Sequence, residues 1–449
     1  MSGQTYQVID PSTGEVVETF EHTSDAEIQR AITASAVAYA SWKDMPITDR
    51  AVVVRRIGDL FVERAVDLAT IMSQEMGKSV AEGMEEIEFC RAIFEYYATE
   101  GPALAADQEI QTTSGGHAVV RKLPVGPLLG IMPWNFPYYQ VARFVAPNLM
   151  LGNTILLKHA ASVPRSALAI AEIISDAGVP LGAYENVFAT HAQLETIIAD
   201  PRVQGISLTG SERAGSIVAA LAGKHLKKCV LELGGSDPMV VLDTDNLDDL
   251  VDKAWSFRMY NSGQVCNSNK RMIVMSDLFD DFVAKLADKA LAVENFSPMS
   301  SRAAAESLSA LVDDAVSKGA TLHAGGVLGS GPAAYYSPAV LSGVTENMRA
   351  YREELFGPVA VVYRVSSDEE ALDLANDTPY GLGGSVFSTD TDRAERVATR
   401  LDVGMSNVNT TAGEGADLPF GGVKRSGFGR ELGPLGMDEF VNKRLTYIA

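Results

Sequence analysis

The stretch TILLKHAASVPRSALAIAEIISDAG, Thr154 to Gly178, decides the fold class. Thr154–Lys158 is a short apolar run with branched side chains, the pattern of a strand covered on both faces. Ser162 then stands as a candidate N-cap and Pro164 falls in the first turn, where its missing N–H costs nothing. An apolar-periodic helix follows and stops at Gly178. The order repeats downstream: VQGISLTG gives a strand, SERAGSIVAALAGK a helix, and KKCVLELGG a strand closing on two glycines. Such alternation predicts an α/β protein with a parallel, doubly wound sheet, whose ligand crevice lies outside the carboxyl ends of the strands. Lys158, Gly210 and Gly234 all fall at such ends.

Outward from this core, the first hundred residues are helical in pattern. Met84, Ile87, Cys90, Phe94 and Tyr97 recur at spacings of three and four, one apolar stripe that makes Cys90 a buried hydrophobe. On the other side, KRMIVM, GPVAVVYRV and GLGGSVFS repeat the alternation at longer spacing and predict a second α/β domain.

Composition narrows the function. A chain of 449 residues, 46% hydrophobic, can bury a large core in two or three domains. Its formal net charge of −21 repels phosphate backbones and anionic lipid, which argues against nucleic-acid and membrane partners. Three scattered cysteines make no disulfide framework, and no basic-then-apolar leader opens the chain, so the expected location is cytoplasmic.

In NSGQVCNSNKR, Asn261–Arg271, one thiol sits among polar residues. A nucleophilic cysteine needs access and nearby donors rather than an apolar bed, which makes Cys266 the candidate nucleophile; a cysteine capping a loop is the bland alternative. Glu232 ends an apolar strand and alternates in facing with Cys229, Leu231 and Leu233, so its carboxylate can enter the crevice as a general base. Cys229, by the same alternation, belongs to the core. In MPWNFPYY two prolines hold Asn135 between Trp134 and Phe136, and a fixed amide can donate to an oxyanion. TGSERAG follows a strand and opens a helix, whose N-terminus can meet a phosphate; it is neither a G-x-G-x-x-G nor a Walker loop.

Together PWNFP, LLKHA, TGS, LELGG, GQVC, EELFGPV and PFGGVKRSGFGREL occur in the order of the aldehyde dehydrogenase superfamily, which the chain resembles over nearly its whole length. Within it, the chain looks most like the short bacterial succinate-semialdehyde dehydrogenases. The resemblance implies a Rossmann-type NAD(P)-binding domain over 1–105 and 124–231, a catalytic thiol domain over 232–430, and oligomerisation elements at 106–123 and 431–449. These last are a hairpin within Ala106–Lys122 and a final strand near VNKRLTYIA, giving a homodimer or homotetramer. It implies attack by Cys266 on a small aldehyde, an oxyanion held by Asn135, hydride transfer to NAD or NADP, and hydrolysis of the thioacyl-enzyme by water activated at Glu232. Cofactor contacts carry over to Trp134, Lys158, Ala161, Gly210, Ser211, Gly234, Glu354 and Phe356; Phe136, Tyr139 and Phe420 line the aldehyde tunnel. No metal is implied.

Departures from the family pattern bear on specificity. Three residues after Lys158, NAD-preferring relatives often carry a glutamate; Ala161 stands here, so both dinucleotides are admitted, with a lean to NAD taken from the resemblance. Phe144 replaces a lysine that in many relatives pairs with the glutamate matching Glu431. Arg143, eight residues after Asn135, is expected to run along the tunnel and read a substrate carboxylate with its planar fork, an arginine paired to a protein acid being the alternative. Tyr260 replaces a second arginine of that group. The segment LAVENFSPMSSRAAAE is shorter than its family counterpart and is expected to be a surface connection. Competing readings are a dehydrogenase for an aminoaldehyde or glutarate semialdehyde, a catalytically silent member, and a cysteine hydrolase; the hydrolase would need a histidine that none of the motifs supplies.

Overall fold

The computed structural model describes residues 5–113 and 115–449. A six-stranded sheet runs in the order Gly427–Phe428, Lys228–Glu232, Gly205–Thr209, Pro127–Met132, Thr154–His159 and Tyr184–Asn186, parallel throughout except at the first pair. Register aligns the carboxyl ends: Ile131 lies opposite both Lys158 and Leu208, and Thr209 opposite Glu232. The side chains expected to meet a ligand are thereby brought to one edge.

The helix after the second of these strands spans Pro164–Asp176 with proline at its start, but its cap is not Ser162. Val163 takes the N-cap position without a side-chain bond, and Glu75, from the helix Ala65–Met76, accepts the N–H groups of Arg165 (2.7 Å) and Ser166 (3.0 Å) and the Ser166 hydroxyl (2.6 Å). A carboxylate at a helix N-terminus satisfies orphan donors and the helix dipole together. No local sequence pattern announces a cap delivered from another helix.

A second sheet of seven strands takes the order Thr321–Ala324, Ala339–Ser342, Val359–Val365, Arg271–Met275, Pro238–Val241, Gly383–Phe387 and Met405–Val408, antiparallel only at its first pair. The chain then returns to the first sheet. Gly427 pairs with Glu232 and Phe428 with Leu231, so the expected thiol domain of 232–430 is not one continuous body: its last residues, and Glu232 itself, are held by the first sheet.

The helix Val80–Leu104 buries Ile87, Cys90, Phe94 and Tyr97 as its stripe requires. A third, three-stranded sheet joins Gln108–Ile110, His117–Pro124 and Val441–Ile448, antiparallel, with Leu445, Tyr447 and Ile448 exposed. Residue 114 of the expected hairpin lies outside the described residues. The shortened segment is not merely superficial. Met299 is buried, the Ser300 N–H donates to Gln264 Oε1 (2.8 Å) and the Ser262 hydroxyl to the Ser297 carbonyl (3.0 Å), so it braces the turn before Cys266. Among the described residues no helix is long and apolar enough to cross a membrane.

Candidate active site

The turn leading to Cys266 is strained and over-determined. Asn261, Ser262 and Gly263 take successive left-handed conformations with φ of 51°, 52° and 70°. For the first two this costs on the order of 1–2 kcal/mol each, which surrounding bonds must offset. The Asn261 N–H donates to Glu82 (2.8 Å) and its amide to the Asn135 carbonyl (2.8 Å). At Gly263 a Cβ would stand 2.2 Å from the Gly357 carbonyl oxygen, so only glycine admits that close approach. The Asn135 amide donates to the Gln264 carbonyl (3.1 Å), leaving its second N–H available beside the thiol.

Two cavities meet at Cys266. One, of about 280 Å³, is lined by Trp134, Asn135, Thr209, Gly210, Ser211, Glu232, Gly234, Glu354 and Phe356 among others. The edge of Trp134 meets Phe356 at 5.8 Å between centroids. A Cβ at Gly210 would meet nothing nearer than 3.8 Å, so backbone there is open to approach, and exposed Ser211 caps the helix Glu212–Lys224. A Cβ at Gly234 would stand 2.2 Å from Glu354 Oε2. Lys158 and Ala161 do not line this cavity; they sit further along the strand ends. Lys158 is buried, burial lowers its ammonium to about 8, and no carboxylate is paired with it among the described residues. A buried cation without a counter-ion, an open glycine and a helix N-terminus together fit a dinucleotide, with Lys158 suited to ribose hydroxyls or a 2′-phosphate. Ala161 is buried and its carbonyl accepts the Gln7 N–H (3.1 Å). Neighbouring His159 is neutral: its Nε2 donates to the Pro137 carbonyl (2.8 Å) and Nδ1 accepts the Ala160 N–H, a tautomer set by those partners. It ties the Trp134–Pro137 turn to the Lys158 strand.

The other cavity, of about 530 Å³, is lined by Phe136, Tyr139, Phe420, Tyr260, Phe89 and Phe257, with Glu85, Glu86, Glu414 and Lys253 as its charged groups. Phe136 stacks on Tyr260 (6.0 Å) and carries the Lys78 ammonium over its ring (3.7 Å). Lys78 pairs with Glu86, whose Oε1 accepts the N–H groups of Tyr138 and Tyr139 (2.9 Å each), capping the helix Tyr139–Leu151. Lys253 is paired with Asp249 (2.8 Å).

Arg143 does not enter this tunnel. It is wholly buried behind the wall, its Nε 2.8 Å from Glu431 Oε2 and its guanidinium over the rings of Phe420 (4.3 Å) and Tyr139 (4.8 Å). The expected carboxylate reader is therefore an ion-pair partner of a protein acid. Desolvation explains the choice: a buried guanidinium needs a resident counter-ion, and with Phe144 in place of lysine Glu431 needs a cation. Ser207 satisfies the other Glu431 oxygen (3.1 Å).

Electrostatics separate the two reacting groups. Burial holds Glu232 well above the usual carboxylate range, reinforced by Glu431 and opposed by Arg143; neither of its oxygens has a hydrogen-bond partner among the described residues. Burial likewise pushes the Cys266 thiol up to about 12, while Arg143 and then Lys270 pull it down. A proton-hungry carboxyl and a thiol, both lining the first cavity, can hold and move a proton. Cys229 is half-buried and Cys90 fully buried, and burial raises both thiols. Among the described residues no group of three or more His, Cys, Asp or Glu side chains could hold a metal. Sequence reading passed over Asn261 and Lys270, which the fold places against Asn135 and Cys266; only their nearness to the cysteine in sequence hints at either.

The chain belongs to the aldehyde dehydrogenase family, whose model matches residues 1–445. As such it is an NAD(P)-dependent oxidoreductase acting on aldehydes. It is 51% identical to a succinate-semialdehyde dehydrogenase [NADP(+)] of Deinococcus radiodurans, over 98% of this chain and 94% of that one. It is 39% identical to an enzyme of the same name from Mycobacterium avium, over 98% and 96%. A crystal structure of succinic semialdehyde dehydrogenase from Streptococcus pyogenes in complex with NADP+ superposes with a TM-score of 0.96 at 38% identity, covering 99% of both chains. These relatives do not support the lean to NAD: they are named for, or bind, NADP.

Proposed function

We propose that this chain oxidises succinate semialdehyde to succinate with NADP through a thioester on Cys266. The observation that carries the reading is the placement of the Cys266 thiol at the junction of an aromatic tunnel and a second cavity that holds Asn135, Glu232, Gly210 and Glu354. Cys266 attacks as its thiolate, the thiol proton having left to solvent, and Sγ bonds to the aldehyde carbon while Asn135 Nδ2 and the Cys266 N–H hold the oxygen. A nicotinamide held beside Cys266 by Trp134, Gly234, Glu354 and Phe356 would supply the hydride acceptor. Water then adds to the thioester carbon as Glu232 takes its proton, and the carbon–sulfur bond breaks to return the thiol and release the acid. Lys158, Gly210 and Ser211 hold the phosphate and ribose side, Trp134, Gly234, Glu354 and Phe356 the nicotinamide side, and Phe136, Tyr139 and Phe420 guide the aldehyde. Ala161 places no carboxylate where a 2′-phosphate would be repelled, which admits NADP, and the NADP named with the relatives supports it as the acceptor. The three-stranded sheet with its exposed Leu445 and Ile448 is the proposed contact of a dimer or tetramer.

A second reading draws on the tunnel itself. With Arg143 turned away and three carboxylates on the wall, a neutral or cationic aldehyde, such as an aminoaldehyde, is better matched than the succinate semialdehyde monoanion. Initial rates for succinate semialdehyde, butanal and an ω-aminoaldehyde with each dinucleotide decide between the two. The first reading expects succinate semialdehyde with NADP to give the highest kcat/KM, and a higher value for the aminoaldehyde replaces it with the second.

A further inference from the structure

Lys270 lies four residues beyond Cys266, immediately before the strand Arg271–Met275, and only 1% of it is exposed. Its backbone is fixed by the second sheet: its carbonyl accepts the Val361 N–H, and its N–H reaches the Ser268 carbonyl (2.8 Å). From there the side chain turns back beneath the thiol. Its ammonium has three donors, and three acceptors surround it: the Val265 carbonyl (2.7 Å), the Cys266 carbonyl (2.7 Å) and Glu354 Oε1 (3.2 Å). The same Glu354 oxygen accepts the Gly235 N–H (3.1 Å), just beyond the Glu232 strand. Gly235 is itself pressed onto the loop, since a Cβ there would lie 2.6 Å from the Cys266 carbonyl oxygen. One buried cation thus joins the backbone of the thiol, the carboxylate on the nicotinamide side of the cofactor cavity, and the segment leaving Glu232.

We propose that Lys270 is a positioning residue of the reaction, locking the Cys266 loop to Glu354 and lending its fixed positive charge to the developing thiolate. Burying an ammonium is costly unless it is fully bonded, and this one is; its location against the one loop that must hold still during attack gives the cost a purpose. A neutral side chain could brace the two carbonyls but would not stabilise an anion at Cys266. The charge acts in company. Arg143 also favours the thiolate, whereas Glu354 and Asp237 oppose it, and Tyr139, Tyr260, Glu85, Glu86, Glu232, Glu414 and Lys253 are the other titratable groups on the walls of the two cavities. Because Lys270 pairs with Glu354 while holding the carbonyl of Cys266, one side chain bridges that carboxylate and the loop of the nucleophile. This inference rests on Cys266 being the nucleophile.

The test is the rate at which iodoacetamide alkylates Cys266, followed by mass spectrometry across a pH series in the cofactor-free enzyme, with thermal melting as the check on folding. Lys270→Met is expected to move the profile to higher pH by about one unit, a tenfold slower reaction at fixed pH below the midpoint. Glu354→Gln is expected to move it the opposite way, since it removes a charge that opposes the thiolate. Lys270→Arg, which keeps the charge, should stay nearer wild type than Lys270→Met. A Lys270→Met enzyme that melts normally and alkylates as fast as wild type, or one slowed no more than Lys270→Arg, overturns the proposal and leaves Lys270 as a prop. Should Lys270→Met not fold, the Glu354→Gln profile decides, and a midpoint unchanged or raised overturns it. Failure of the underlying reading looks different: alkylated Cys266 would leave turnover intact.

Discussion

On one side of Cys266 backbone and small residues take a large share of the wall: Gly210, Ser211 and Gly234 stand beside Trp134, Glu232, Glu354 and Phe356, with Lys158 beyond them at a strand end. On the other side it is side chains: Phe136, Tyr139, Tyr260 and Phe420, backed by the ion pairs Lys78–Glu86 and Arg143–Glu431. Backbone walls read what every dinucleotide shares, phosphate and ribose, and depend on where strands end. Side-chain walls read what differs between aldehydes and depend on which charges are already paired. On the proposed function, recognition of the cofactor rests mainly on the topology and recognition of the substrate on local ion pairing.

The sharpest break between the two sides is at the thiol they share. Cys266→Ala should abolish oxidation while dinucleotide affinity stays within about twofold, because the sulfur acts in the reaction and not in docking; retention of a tenth of wild-type turnover would return Cys266 to a loop-capping role. Glu232→Gln should lower steady-state turnover by roughly 10²–10⁴ while sparing the first turnover, since only hydrolysis needs a base for water. Stopped-flow traces would then show a burst of reduced cofactor followed by a slow phase, and a uniformly slow first turnover would instead place Glu232 in thiol activation.

Arg143→Met tests the tunnel side. Breaking a buried pair leaves Glu431 uncompensated and costs about 3–5 kcal/mol of stability. The expected result is a lower melting temperature with parallel losses for succinate semialdehyde and butanal. A KM increase confined to the charged substrate would show that the arginine leaves Glu431 to read a carboxylate after all.

The smallest effect concerns the cofactor side. Burial lowers Lys158 to about 8 in the free enzyme, and a bound 2′-phosphate would raise it. Above about 8, NADP binding must take up a proton, so its affinity should weaken as pH rises, by at most tenfold per unit, and be flat just below. NAD, lacking that phosphate, should show a shallower fall, and Lys158→Met should flatten the NADP profile. Equal pH dependence for both dinucleotides would remove Lys158 from the 2′ position.

Much was legible without coordinates because it is local. The strand Thr154–His159, the helix after it, the strand end at Glu232 and the amphipathic stripe through Cys90 follow from apolar period, proline and glycine, which act over a few residues. The convergence of Asn135, Glu232 and Cys266 was legible only through ordered motifs, since nothing in their spacing brings together residues so far apart in sequence. What the tertiary structure alone decided is where each buried charge finds its partner. Glu75 caps a helix ninety residues on, Arg143 goes to Glu431 instead of the tunnel, and Lys270 reaches back to the carbonyl of Cys266 and across to Glu354. A long charged side chain in sequence carries no mark of its partner. Desolvation forces it to find one, and which acid stands within reach is fixed only when distant segments pack.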